Sequence, residues 1–285
     1  MQETQPEIFI VARPVVDWPS LYSFLDSIGG TAWVQRILDM KERGDISDGE
    51  ALVEFMARSC YKSFDVGLNA NVTKVRTDST SYFRNILSSE HGSVLEHSQY
   101  SFMFRNVSRV FTHELVRHRA GVAISQESLR YVRLTDIGFR IPDVLANGPD
   151  IVLAGGDGEA DTVSMQHAVI SIVEKLEEFQ RAAAEAFGLD DEGVPFHYKK
   201  EVTSALRRLA PIGLSTNIGW SANIRTLRFV LMKRTEAGAE EEIRLVFDRV
   251  ARLMIQEAPY LFSDFHPVEV EDSDIPAWVP EFRKV

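Results

Sequence analysis

Residues 100–134 read YSFMFRNVSRVFTHELVRHRAGVAISQESLRYVRL, and three periodicities succeed one another within them. Tyr100, Phe102 and Phe104 alternate with Ser101 and Met103, the two-residue period of a strand buried on one face. Ser108 then offers an N-cap for a helix running to about Arg119, with Val110, Phe111 and Leu115 turned inward. Gly121 releases the chain into a loop that carries Ser125 and Gln126, and residues 130–134 read as a further strand.

Outward from this stretch the same mixture continues. Residues 7–12 (EIFIVA) read as a short strand closed by Pro14, and 18–58 as helical pieces broken at Gly29-Gly30 and Gly44. Leu52, Phe55 and Met56 give the last piece an apolar stripe. Residues 146–161, rich in Gly and Asp, read as an exposed loop. An amphipathic helix starting at Asp161 or Thr162 would bury Val169, Ile172, Val173, Leu176, Phe179 and Ala183 and end at Gly188. Helices over about 199–209 and 236–257 follow, the second with Ile243, Val246, Phe247, Val250 and Leu253 inward. The tail with Pro267, Pro276 and Pro280 reads as extended. Strands and helices without a regular βαβ rhythm imply the α/β (α+β) class, here as one domain over 1–285.

Net charge of −11 argues against a protein that coats nucleic acid or an anionic membrane. The single Cys60 cannot form an internal disulfide, and its small size suits a buried position rather than a nucleophile. No stretch has the length and apolarity of a membrane span, and the N-terminus lacks the pattern of a signal peptide, so a cytoplasmic protein is expected.

Two familiar motifs fail on spacing. His113 and His118 stand five apart, about 140° round a helix, whereas zinc-protease ligands stand four apart, about 40°. Gly155-Gly156-Asp157-Gly158 is followed by no lysine and framed by no strand–turn–helix, so it reads as a flexible loop. No metal is expected.

Residues 105–140 hold seven arginines and no lysine, against Glu114, Glu127 and Asp136. Arginine's planar fork suits bidentate binding of phosphate or carboxylate. Cations at a helix C-terminus can equally serve only the helix dipole, so Arg117-His118-Arg119 by itself leaves both readings open. Ser125-Gln126-Glu127-Ser128-Leu129-Arg130-Tyr131 adds hydroxyls, an amide and another arginine, the parts of a phosphate cradle.

Arg117-His118-Arg119 followed by Ser128-Leu129-Arg130-Tyr131 resembles the signature of flavin-dependent thymidylate synthases. The spacer AGVAISQE has eight residues, one more than the commonest form. His91-Gly92-Ser93-Val94-Leu95-Glu96-His97, Ala57-Arg58-Ser59-Cys60-Tyr61, Arg207 four before Pro211, and Asn223-Ile224-Arg225 with a final Arg234 are similar to further segments of that family. The likeness covers about 51–134 and 198–262. Residues 1–50 read as an N-terminal extension and 140–195 as a family-variable loop and helix.

The resemblance implies a mixed central sheet with flanking helices and a homotetramer with active sites at subunit interfaces. It implies reductive methylation of dUMP to dTMP with tightly bound FAD, 5,10-methylenetetrahydrofolate as carbon donor and NADPH as reductant. His91, Ser93, Arg117, His118, Arg119, Ser125, Asn223 and Arg225 would hold FAD. Glu114, Gln126, Ser128, Arg130, Arg207 and Arg234 would hold dUMP, with Arg234, Ser128 and His91 nearest the chemistry. Glu114 and Phe229 depart from the family's usual Gln and Asn. Glu96 is expected to pair with an arginine, and His97 to be a core or supporting histidine.

Overall fold

The computed structural model describes residues 1–154 and 160–285, so the Gly155-Gly156-Asp157-Gly158 reading lies outside the described residues. β1 (Gln2–Glu3) and β2 (Glu7–Ala12) lead into α1 (Trp18–Ile28), α2 (Thr31–Glu42) and α3 (Asp48–Tyr61). Gly29 closes α1 at φ 82°. Ser47 opens α3 with a reciprocal pair of bonds, its hydroxyl accepting the Glu50 N–H while the Glu50 carboxylate accepts the Ser47 N–H. Next come α4 (Ser79–Ser88), a 3-10 turn over Gly92–His97, β3 (Gln99–Ser108), α5 (Arg109–Leu115), β4 (Val122–Gln126), β5 (Gly138–Phe139) and α6 (Asp143–Ala146). β6 (Ile151–Ala154) and β7 (Ala160–Val163) pair antiparallel, with Ile151 opposite Val163. α7 (Met165–Ala186), α8 (Phe196–Leu206) and a 3-10 turn over Arg207–Leu209 precede β8 (Ser215–Asn223). α9 (Ile224–Arg234), α10 (Glu241–Glu257) and α11 (Pro259–Phe262) lead to the antiparallel hairpin of β9 (Phe265–Val270) and β10 (Ser273–Pro280). The largest sheet runs β2-β3-β8-β4, which bears out the mixed α/β class.

The chain divides into two compact units: Met1–Glu7, Phe104–Arg117 and Ile124–Gly219 in the first, Ile8–Met103, His118–Ala123 and Trp220–Val285 in the second. The first unit pairs β1 with β5 in parallel and gathers Leu134, Ile137, Phe139, Ile141, Val173 and Leu214 into a core. In the second, Trp220 packs between Phe102 (centroids 5.9 Å apart) and Phe247 (5.8 Å), and α10 buries Ile243, Val246, Phe247 and Val250. A buried carboxylate, Glu54 on α3, ties three helices there. It accepts from Trp33 Nε1 (2.8 Å) and Arg36 Nη2 (2.6 Å) of α2, from Arg58 Nε (2.9 Å) of α3 and from Ser79 Oγ (3.0 Å) of α4. Burial alone would raise its pKa, but Arg58, Arg36 and the Trp33 N–H together hold it below the ordinary carboxylate value.

Gly121 shows why the loop after α5 has its shape. Its φ is +69°, and a Cβ there would stand 2.3 Å from Asn223 Nδ2 and 2.5 Å from Thr226 Oγ1. Those side chains start α9: Asn223 Oδ1 accepts the Thr226 N–H, and Thr226 Oγ1 donates to the Ala120 carbonyl. Gly121→Ala is therefore expected to destabilise the protein by about 2–4 kcal/mol, from a strained backbone plus a broken cap. A urea midpoint unchanged from the parent would refute this.

Several sequence expectations need correction. α5 stops at Leu115, not near Arg119: Val116 caps it, and the Arg117 N–H turns back to Glu114 in a tightened last turn. Residues 122–126, read as loop, are β4, whereas 130–134, read as strand, close a turn in which the Tyr131 and Val132 N–H groups both meet the Ser128 carbonyl. Within 146–161 lie the last residue of α6, β6 and the start of β7. Asp161 and Thr162 belong to β7, and Ser164 caps α7 by accepting the His167 N–H. α7 turns Ala168, Val173, Glu177, Gln180 and Ala184 inward and leaves Ile172 and Phe179 exposed, because Glu177 accepts the Ile137 N–H and Gln180 donates to the Leu206 carbonyl. α8 starts at Phe196 and α10 at Glu241, and the extended tail is a hairpin. Cys60 is exposed, as is His97. No helix among the described residues is long and apolar enough to cross a membrane.

Candidate functional site

The first unit carries an open groove lined by Arg109, Gln126, Glu127, Ser128, Arg207 and Arg208. α5 supplies Arg109, β4 ends at Gln126, and Ser128 begins the turn that follows. Gln126 Nε2 donates to Thr112 Oγ1 (3.0 Å), which locks the amide onto α5. The Glu127 carboxylate accepts from Asn217 N and Nδ2 (both 3.3 Å), fixing the backbone between Gln126 and Ser128. Ser128 Oγ accepts the Arg130 N–H (3.3 Å).

Arg109 is a site residue the sequence reading missed. Its Nη2 donates to the Glu127 carbonyl (2.9 Å), while its Nε is buried with no partner among the described residues. Burial lowers the pKa of this guanidinium, the Glu127 carboxylate opposes that, and Arg207 adds to the lowering. A positive side chain in the first turn of a helix works against the helix dipole, and that was the signal available in Ser108-Arg109. Ser125 is exposed on the side of β4 opposite Gln126. Glu114 is half-buried on α5, and Arg117 and Arg130 are exposed.

The second unit gathers the other residues. Arg234, at the last turn of α9, donates its Nε–H to His118 Nε2 at 2.7 Å. That ring nitrogen must therefore be unprotonated, with the proton on Nδ1. Burial first, and the Arg234 charge second, lower the His118 pKa to about 4. Phe229 stands edge-on to the same ring at 6.0 Å and is itself exposed. Asn223 caps α9, Arg225 pairs with Glu96 (2.6 Å) as expected, and a Cβ on Gly92 would lie 2.8 Å from Arg225 Nε. His91 stacks on Tyr61 (centroids 5.5 Å, planes 9° apart), and its Nε2 meets the Tyr61 hydroxyl at 2.8 Å. Tyr61 is the second residue the sequence reading did not single out for the site. Ser93 and Arg119 are exposed. Among the described residues no group of three or more His, Cys, Asp or Glu could hold a metal ion.

His118 gives a direct measurement. In long-range proton–nitrogen spectra it should be neutral at pH 7, protonated on Nδ1, and titrate near 4 rather than at its ordinary 6.5. A depressed histidine stabilises the fold above its unfolded pKa, and that contribution is lost as pH falls through the folded value. A midpoint near 6.5 would show that neither the burial of the ring nor the Arg234 contact persists in solution.

The family described as thymidylate synthase complementing protein (Thy1) matches residues 44–260. A flavin-dependent thymidylate synthase from Mycolicibacterium gilvum is 31% identical over 234 residues, covering 82% of this chain and 86% of the relative. Another, from Mycobacterium marinum, is 32% identical over 239 residues, with 83% and 87% covered. The crystal structure of thymidylate synthase X from Helicobacter pylori with FAD and dUMP shares the fold at a TM-score of 0.51 and 20% identity, covering 75% of this chain and 93% of that one.

Proposed function

Since the chain belongs to the flavin-dependent thymidylate synthase family, we propose that it converts dUMP to dTMP with FAD as cofactor, 5,10-methylenetetrahydrofolate as carbon donor and NADPH as reductant. The carbon of the methylene group must gain two electrons to become a methyl group. NADPH supplies them as hydride, so the folate leaves as tetrahydrofolate and NADP⁺ is released. FAD, when bound, relays that hydride and so removes the need for an attacking cysteine. The lone Cys60 is not among the residues that line the groove of Arg109 and Ser128.

The residues present fit these ligands. The observation that carries the reading is the buried, unpartnered Nε–H of Arg109 beside Arg207 and Ser128, a donor set in want of an anion. A 5′-phosphate would satisfy it, with Arg130 adding charge. Gly92 lets Arg225 approach the 3-10 turn, and Glu96 orients that guanidinium. By resemblance to the family, Arg117, Arg119 and Arg225 are proposed for the two phosphates of FAD; within the second unit the stacked pair of His91 and Tyr61 offers an aromatic face. Ser93, His118, Ser125 and Asn223 complete the proposed FAD contacts, and Glu114 and Gln126 the proposed dUMP contacts. Arg234 acts on the uracil ring: its charge stabilises the negative charge that develops on a carbonyl oxygen as C5 becomes nucleophilic. Neutral His118 keeps the Arg234 fork in one orientation by accepting its Nε–H.

We further infer one catalytic domain over residues 1–285, a cytoplasmic location and a homotetramer of the 32.2 kDa chain with sites at subunit interfaces. The test is dTMP formation from dUMP, NADPH and methylenetetrahydrofolate, with and without added FAD. FAD-dependent dTMP is the expected result. No dTMP from folded, FAD-saturated protein would overturn the proposal.

A further inference from the structure

A second groove opens in the first unit, lined by Arg130, His197, Lys200, Glu201, Arg207 and Arg208. Arg207 and Arg208 also border the groove of Arg109, Gln126 and Ser128, so the two grooves meet at one arginine pair. Lys200, on α8, lies over the Tyr131 ring at 5.3 Å. Tyr131 in turn stacks on Phe196 (6.2 Å, planes 12° apart), which holds the lysine beside Arg130. Among the described residues, Arg130, Lys200, Arg207 and Arg208 form no ion pair, and Glu201 neutralises none of them directly. In a chain of net charge −11 the two adjoining grooves gather five cations, Arg109, Arg130, Lys200, Arg207 and Arg208, against the carboxylates of Glu127 and Glu201. Cations held together repel, and an anion shared among them relieves that repulsion. One monophosphate fills the needs of Arg109, Ser128 and Arg207, with Arg130 beside it, and leaves Lys200 and Arg208 without a counter-charge.

We propose that this second groove takes the outer phosphates of a pyrimidine deoxynucleoside di- or triphosphate whose first phosphate occupies the cradle of Arg109, Ser128 and Arg207. The groups are linked through a single bridging oxygen, and the two grooves adjoin at the arginine pair where that bridge would pass. Such nucleotides compete with dUMP for the site. A triphosphate made from the product by two further phosphoryl transfers would then hold back its own supply. The inference rests on the reading of the cradle as the site of the dUMP phosphate.

The test uses the FAD-saturated full chain in metal-free buffer, with dUMP, dUDP and dUTP bound separately and followed by calorimetry. The expected result is that dUDP and dUTP bind at least as tightly as dUMP. Lys200→Gln should weaken dUTP about five- to tenfold and move dUMP less than twofold, since only the outer phosphates meet that ammonium. Glu201→Gln should act in the opposite sense and tighten dUTP alone, because it removes a like charge from the groove. Both positions lie at the surface, and unchanged circular dichroism certifies the fold. Weaker binding of dUTP than of dUMP, or equal shifts of the two ligands in both variants, would overturn the proposal. Failure of dUMP itself to bind would overturn the cradle reading and this inference with it. That outcome differs from a protein that binds dUMP and ignores added phosphates.

Discussion

Arg234→Gln is expected to lower the turnover of dUMP by about 10²–10³, the usual cost of removing one preorganised donor to charge that develops in a transition state. The loss should fall on kcat and leave KM nearly unmoved, because the uracil carbonyl carries its extra charge only as C5 becomes nucleophilic. A second readout separates this from simple disorder. Arg234 is one of two causes that hold His118 at about 4, so removing the guanidinium should let the histidine rise toward its ordinary value. Arg234→Lys keeps a charge but loses the Nε–H that His118 accepts at 2.7 Å, and should recover only part of the rate. A glutamine variant turning over within threefold of the parent would remove Arg234 from the chemistry.

The largest effect on stability is expected at Arg228. Its side chain is 0% exposed and meets Asp264, 5% exposed, through two parallel bonds of 2.7 and 2.8 Å. The same guanidinium donates to the carbonyls of Leu261, Phe282 and Val285, so all its N–H directions are engaged within the second unit. Arg228→Met would strand the Asp264 carboxylate in a dry setting, at a cost of about 3–5 kcal/mol. Removing both charges, as Arg228→Met with Asp264→Leu, should return much of that loss, because the pair itself was costly to desolvate. Urea denaturation of the two variants decides the matter. If the single variant is as stable as the double, the stranded-charge explanation is wrong.

Local signals written in a few adjacent residues could be read from the sequence. The alternation of Tyr100, Phe102 and Phe104 gave β3, Ser108 gave the start of α5, and the apolar stripe of α10 gave its buried face. What escaped depended on partners far along the chain. Glu177 and Gln180 face inward on α7 because Ile137 and Leu206 supply their hydrogen bonds, and no periodicity could rank them above Ile172 and Phe179. Val122, Ala123 and Ile124 carry a weak alternation, outweighed by the adjoining Gly121, so β4 passed for a loop. At the candidate site, the family's motifs named the residues but not their attachments. The Arg234–His118 bond, the His91–Tyr61 stack and the unpartnered Nε of Arg109 are facts of folding rather than of spacing.

The Glu54 carboxylate carries one more consequence, for how the second unit breathes. A helix can fray alone when its departure leaves nothing charged behind. Here the unwinding of α2 would take away Trp33 and Arg36, and that of α4 would take away Ser79; either would leave a buried anion short of donors. The helices α2, α3 and α4 are thereby bound into a single cooperative foldon. Their amide protons should open to solvent together, by one rare excursion, rather than piecemeal from the ends.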